Sequence, residues 1–193
     1  MDNQDSKPQY AYIPHLFAGE AIIPRVPPLP IYSFALEERL LGRFDSIWDP
    51  MPGRFDVRDA LAELQISESI ITTPLADLNI NPPPALISAP DPRAMLDIVL
   101  KGLNLGMEYI AIFGRSSQLA GLKRYDRLYR HYPPSRVYVL SEARSYTTLD
   151  RSGRDGGPYF STWVVWDGAG QPAIENPPTE PTMRWISEKS TFM

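Results

Sequence analysis

The chain has no cysteine and only two histidines, His15 and His131, in 193 residues. Without cysteine there is no disulfide framework, no thiolate metal site and no thiol nucleophile. Two isolated imidazoles supply neither a zinc site nor a histidine-based triad, so no metal is expected. Long apolar runs are also missing, and no stretch reaches the ~18 residues of a membrane span. The opening Met1-Asp2-Asn3-Gln4-Asp5 is acidic and polar, unlike a signal peptide. A cytoplasmic protein with no membrane partner is the expectation. Hydrophobic content of 43% and charged content of 22% are those of an ordinary globular protein, and the length suits one domain with a real core. No internal repeat is visible.

The net charge of −4 conceals an asymmetry. Arg115 to Arg154 holds nine basic and three acidic residues, a local +6 that leaves −10 for the remainder. Tyrosines 125, 129, 132, 138 and 146 interleave the basic residues. Such a segment can track a phosphate backbone while its aromatic rings meet bases, and it reads equally as a solvated helix face followed by a buried strand. On a 3.6-residue period Lys123, Arg127 and Arg130 share one helix face, which makes them the candidate nucleic-acid contacts.

Residues 1–30 read as an irregular proline-rich arm, 31–175 as one domain and 176–193 as an irregular tail. Ser33–Gly42 reads as a helix stopped by Gly42. Phe44–Asp49 reads as a strand, with a turn at Pro50–Gly53 and a helix capped by Asp56 running to about Gln65. Ser69–Thr73 is β-branched and strand-like. Leu78–Asn81 reads as the end of a further strand. Beyond a proline-rich loop, Asp91 caps a helix from Pro92 to about Leu103. Met107–Phe113 has the apolar character of a central parallel strand. Leu119–Tyr129 reads as a basic amphipathic helix, Arg136–Leu140 and Tyr159–Trp166 as strands, and 147–158 as a mobile loop. Strands alternating with helices predict an α/β fold: a mostly parallel sheet with helices on both faces. Ligands of such sheets bind at the carboxyl ends of the strands, near the switch point.

Asn81-Pro82-Pro83-Pro84 is the motif with most chemical content. Prolines stiffen a turn and leave carbonyls free to accept. At a strand's carboxyl end, the Asn side-chain oxygen and a proline carbonyl can both accept from one exocyclic amine. That leaves the nitrogen lone pair directed at a methyl donor. An ordinary turn has the same composition.

Three later stretches carry a resemblance: Gly121-Leu122-Lys123-Arg124-Tyr125-Asp126-Arg127-Leu128-Tyr129, Pro133-Pro134-Ser135-Arg136-Val137-Tyr138-Val139-Leu140-Ser141, and Thr162-Trp163-Val164-Val165-Trp166-Asp167-Gly168. Over roughly residues 30–175 the chain resembles the phage-type DNA adenine methyltransferases. These belong to the wider S-adenosylmethionine-dependent class with a Rossmann-like fold. The resemblance implies S-adenosylmethionine as cofactor, double-stranded DNA as partner, and host cytoplasm as location for a phage-encoded chain. It sets Asn81, Pro82, Pro83 and Pro84 at the catalytic Asn-Pro-Pro-aromatic motif. It sets Asp49, Pro50 and Gly53 at an acid-Pro-x-x-Gly cofactor loop, and Thr73 at the end of the strand that faces the ribose.

The chain departs from that pattern in four places. Phe55 stands where a second glycine is usual, and Thr73-Pro74 where the ribose acid is usual. Pro84 replaces the aromatic that stacks on an extruded adenine, a loss of about 1–3 kcal/mol of base binding. The stretch between Asp49 and Asn81 is short, which implies a sheet reduced by one strand and one helix. These departures keep open an alternative: a degenerate member of the fold serving as a DNA-binding or protein-interaction module. The sequence leaves the oligomeric state open.

Overall fold

A computed structural model of the protein describes residues 29–50, 57–72, 74, 82–141, 160–168 and 180–187. Its centre is a seven-stranded sheet: β1 (Ser46–Trp48), β2 (Ser69–Ile71), β3 (Ala85–Ser88), β4 (Tyr109–Arg115), β5 (Arg136–Leu140), β6 (Ser161–Asp167) and β7 (Thr182–Ile186). The spatial order is β2-β1-β3-β4-β6-β5-β7. All neighbours are parallel except β6, which runs antiparallel to both β4 and β5. The mostly parallel α/β sheet expected from the alternation of elements is therefore present.

Helices cover both faces. α1 (Leu29–Glu37) and α2 (Val57–Glu63) lie on one, and α3 (Met95–Asn104) and the Leu122–Tyr129 segment on the other. The first core layer brings Phe34, Val57 and Leu61 against Ile47, Ile87, Ala111 and Trp163. Phe34 stacks on Trp163 at 4.0 Å between centroids and meets Tyr138 edge-on at 5.6 Å. Each such aromatic pair adds about 0.5–1.5 kcal/mol beyond its buried area. The second layer packs Met95, Ile98 and Val99 of α3, with Leu128, on Leu86, Ile110, Ile112 and Val164. Residues 109–113 of β4 alternate between the two layers and are all buried, which explains their continuous apolar run.

Several elements differ from the sequence reading. The first helix starts at Leu29 and ends at Glu37, so the stop is not Gly42. Arg39 takes a left-handed φ of 52°, its N–H donates to the Leu36 carbonyl, and Leu40 N–H reaches back to Ala35. That closing pattern satisfies the last carbonyls without glycine. Gln65 ends α2 in the same way. Ala85–Ser88, assigned to a proline-rich loop, is an interior strand. The tail assigned as irregular supplies β7, paired in parallel with β5. The basic helix is broken: a 3-10 turn at Ser116–Leu119, a turn at Gly121, one α-turn α4 (Leu122–Arg124) and a π-turn at Tyr125–Tyr129. Gly121 has φ 111° and ψ 130°, a conformation closed to other residues. Among the described residues β2 is the outermost strand at one edge of the sheet and β7 at the other. The strand end expected at Leu78–Asn81, the Asp56 cap and the 147–158 loop lie outside the described residues.

Candidate functional site

From β1 the chain crosses through α2 on one face to β2; from β3 it crosses through α3 on the other face to β4. The two connections leave in opposite directions, so a crevice opens between the carboxyl ends of β1 and β3. This is the switch point at which α/β sheets hold ligands.

Asp49 follows β1 directly and is fully buried. Its N–H donates to the Ile71 carbonyl of β2 at 2.9 Å. Its Oδ1 accepts from the Ser88 hydroxyl at 2.6 Å, and Ser88 is the last residue of β3, also fully buried. A short bond to a carboxylate in a dry site is among the stronger hydrogen bonds a protein makes. It ties the two walls of the crevice together. The hydroxyl has one proton to give, so its lone pairs remain acceptor sites. Ala89 and Pro90 continue the turn, both buried. Asp91 then organises the entry to α3: its Oδ1 accepts from Arg93 N–H at 2.8 Å, and its carbonyl accepts from Ala94 and Met95 N–H.

This geometry moves the site. Pro82, Pro83 and Pro84 lead directly into β3. In the register Trp48 lies beside Leu86 and Ile47 beside Ala85, which sets Pro84 at the amino end of the sheet. At ~3.3 Å per residue the four steps from Pro84 to Ser88 separate them by about 13 Å. The Pro84 carbonyl is also engaged, accepting from Glu108 and Tyr109 N–H at 2.9 and 3.2 Å. The turn that occupies the strand end in question is Ser88-Ala89-Pro90-Asp91, which the sequence reading passed over. Of the expected cofactor residues, Asp49 and Pro50 lie at the crevice and are buried. Asn81, Gly53 and Thr73 lie outside the described residues.

Lys123, Arg127 and Arg130 are all exposed, although the π-turn replaces the regular period on which their common face was expected. Leu128 anchors this segment in the core, and the Tyr129 hydroxyl donates to the Gln118 carbonyl at 2.8 Å. Burial raises the Tyr129 phenol to about 12. Trp166 lies parallel to the Tyr129 ring and donates its indole N–H to the Tyr132 carbonyl at 2.9 Å. Arg124 is committed elsewhere: its two terminal nitrogens donate to the Ala120 and Pro92 carbonyls, each at 3.1 Å. It thereby clasps the basic segment to the turn that follows Ser88-Ala89-Pro90.

The strongest charge cluster lies at the opposite end of the sheet. Glu38, just beyond α1, accepts two bonds from Arg136 at 2.7 and 2.8 Å, one from Tyr109 at 3.1 Å and a short one from Tyr138. Arg136 also reaches Asp167 at 2.6 Å, and Arg43 reaches Asp167 at 2.7 Å while lying over the Tyr109 and Phe44 rings. Burial first, and the Glu38 carboxylate second, push Tyr109 well above its usual value and Tyr138 to about 12. Every group here is engaged with protein, so the cluster reads as a staple between the end of α1 and the sheet.

Among the described residues no group of three or more His, Cys, Asp or Glu side chains is placed to hold a metal, and no helix is long and apolar enough to cross a membrane. No protein-family model matches the chain. No curated protein matches it. Among solved structures it is similar to a Listeria monocytogenes protein provisionally described as a class I S-adenosylmethionine-dependent methyltransferase, with 13% identity and a TM-score of 0.46. The match covers 82% of this chain and 64% of that one, so the chain spans less than two thirds of that protein's length. So distant a likeness says nothing of activity, and function has to be read from the crevice itself.

Proposed function

We propose that this protein transfers a methyl group from S-adenosylmethionine to an amine, and that the acceptor is the exocyclic amine of adenine in DNA. The observation that carries this reading is the Asp49–Ser88 pair at the switch point, 2.6 Å apart between the carboxyl ends of β1 and β3. Such a reaction asks the protein to position an amine against the methyl donor, and the pair sets polar groups on both walls of the crevice where that could happen. S-adenosylmethionine, when bound, supplies the electrophilic methyl, so no protein nucleophile or metal is needed. Of the described residues, Asp49 on one wall and Thr72 beyond β2 are the polar groups that would face this cofactor.

In this reading Asp49 holds the hydroxyl proton of Ser88. That orients the Ser88 oxygen and raises its basicity as an acceptor. The backbone of Ala89 and Pro90 supplies the second acceptor in place of the Asn-Pro-Pro turn. The protein then works by positioning an amine with its lone pair free. The exposed Lys123, Arg127 and Arg130 give the phosphate contacts that a DNA substrate needs.

Full burial of both Asp49 and Ser88 supports a second reading, in which the pair is only a strand tie and the protein is a module that binds without catalysis. Calorimetric titration with S-adenosylmethionine, followed by tritiated methyl transfer to unmethylated DNA, separates the two. Binding and transfer are expected. Neither, in a protein with an intact melting transition, would leave the module reading.

A further inference from the structure

A groove of about 460 Å³ runs between the start of α3 and the basic segment. Pro92, Arg93, Leu96 and Asp97 line one side, and Gly121, Leu122, Lys123 and Arg124 the other. Three of these side chains are cationic and one is acidic. Arg93 and Lys123 are exposed on opposing walls. Arg124 has a different part. Its bonds to the Pro92 and Ala120 carbonyls fix the distance between the walls. Leu122 is 74% exposed and Tyr125, one turn on, 55% exposed. Leu122 lines the groove and Tyr125 follows it on the same segment; such exposed side chains beside a basic cleft are a cost to a free surface, and suit a ligand with both charge and apolar rings. Pro92, in the wall, is four residues from Ser88.

We propose that this groove holds a nucleic-acid strand. Arg93 and Lys123 pair with one phosphodiester, Leu122 and Tyr125 lie against the adjoining sugar and base, and Arg124 sets the width. The proposal rests on the methyl-transfer reading only for the identity of the strand as the substrate's, the nucleotide next to the one presented to Ser88-Ala89-Pro90. It adds Arg93, on a different element from the basic segment, and gives Arg124 a structural part. Charge complementarity, with exposed apolar and aromatic side chains beside the cations, favours this occupant over an acidic protein.

The test is fluorescence anisotropy with a labelled single-stranded oligodeoxynucleotide and its duplex, titrated at several salt concentrations. The double variant Arg93→Ala/Lys123→Ala should bind about tenfold or more weakly at low salt, with a salt slope lower by about one, for the one phosphodiester the two cations share. Asp97→Asn should bind more tightly, because it removes the groove's one acid. Arg58→Ala, an exposed basic residue on α2 over the other face, should behave as the parent. All these side chains are exposed, and a melting curve for each variant establishes that it is folded. Unchanged affinity and slope in the double variant overturn the proposal, and so does a parent that binds neither oligonucleotide. A parent that binds through Arg93 and Lys123 but transfers no methyl retains the groove and removes the reaction, so the two readings fail separately.

Discussion

Replacing Ser88 by Ala should reveal how much of the crevice depends on one hydroxyl. The bond it removes is 2.6 Å long, and both residues are fully buried. No solvent can take the place of the lost donor without the strands parting. Hydrogen bonds to charged groups are worth about 1.5–3 kcal/mol, and removal of one partner costs the desolvation of the group left behind. The void left by an oxygen is smaller than a methyl group, so the cavity contribution is minor. Taking about 2 kcal/mol, a chain of this length should melt about 4–8 °C lower. Asp49→Asn keeps the acceptor oxygen but weakens the bond to a neutral one, and should lose about half as much. Differential scanning calorimetry on the parent, both single variants and the double variant closes a cycle in which the two losses are not additive. A parental melting midpoint in Ser88→Ala, or strict additivity, would refute the claim that this pair ties β1 to β3. The same proteins titrated with S-adenosylmethionine should show weaker binding in the order of their destabilisation.

Glu38→Ala should cost about 2–3 kcal/mol in urea unfolding, because Arg136 keeps only its Asp167 carboxylate and the Tyr109 and Tyr138 hydroxyls lose their acceptor. Gly114→Ala should destabilise by about 1–3 kcal/mol, because a Cβ there would lie 1.7 Å from Nε2 of the buried Gln118; adding Gln118→Ala should restore most of the loss, and no rescue would locate the strain elsewhere. Tyr109, Tyr129 and Tyr138 have raised phenol values, Tyr129 and Tyr138 to about 12. Their contribution is complete below about pH 10, the unfolded value, and is lost as pH rises through the folded values. Unfolding free energy should therefore fall between about pH 10 and 12, and phenolate absorbance should rise in step with loss of structure.

The interior of the sheet was legible in the sequence where burial is symmetric. Residues 109–113, 136–140 and 161–166 read as strands because two-sided burial selects β-branched and aromatic residues throughout. β3 was not legible. Its residues Ala85-Leu86-Ile87-Ser88 make a run of only four, and the three prolines before it suit the exit of a strand as well as the entry. Reading them as an exit leaves out the strand that Pro84 leads into. The discriminating fact is the pairing of Ile47 with Ala85, a contact between residues 38 apart. β7 was missed for another reason: as an edge strand it leaves Met183 and Trp185 exposed, and only Ile186 of its residues is buried. The π-turn at Tyr125–Tyr129 leaves no local signature. It depends on Leu128 reaching the core while Tyr129 reaches Trp166 and Gln118.

The antiparallel β6 imposes an order on synthesis. β5 is made first, yet its place is one strand removed from β4, and β6 must enter the gap between them. Until residue 167 has left the ribosome, β4 and β5 each present an open edge of unpaired backbone. The nascent chain at that stage is a half-sheet carrying two templates for the wrong partner. Chains stalled before β6 should associate more than chains that extend past β7, in which β5 is paired on both sides. Every copy of this protein therefore passes through a stage in which holdase chaperones have the most to bind.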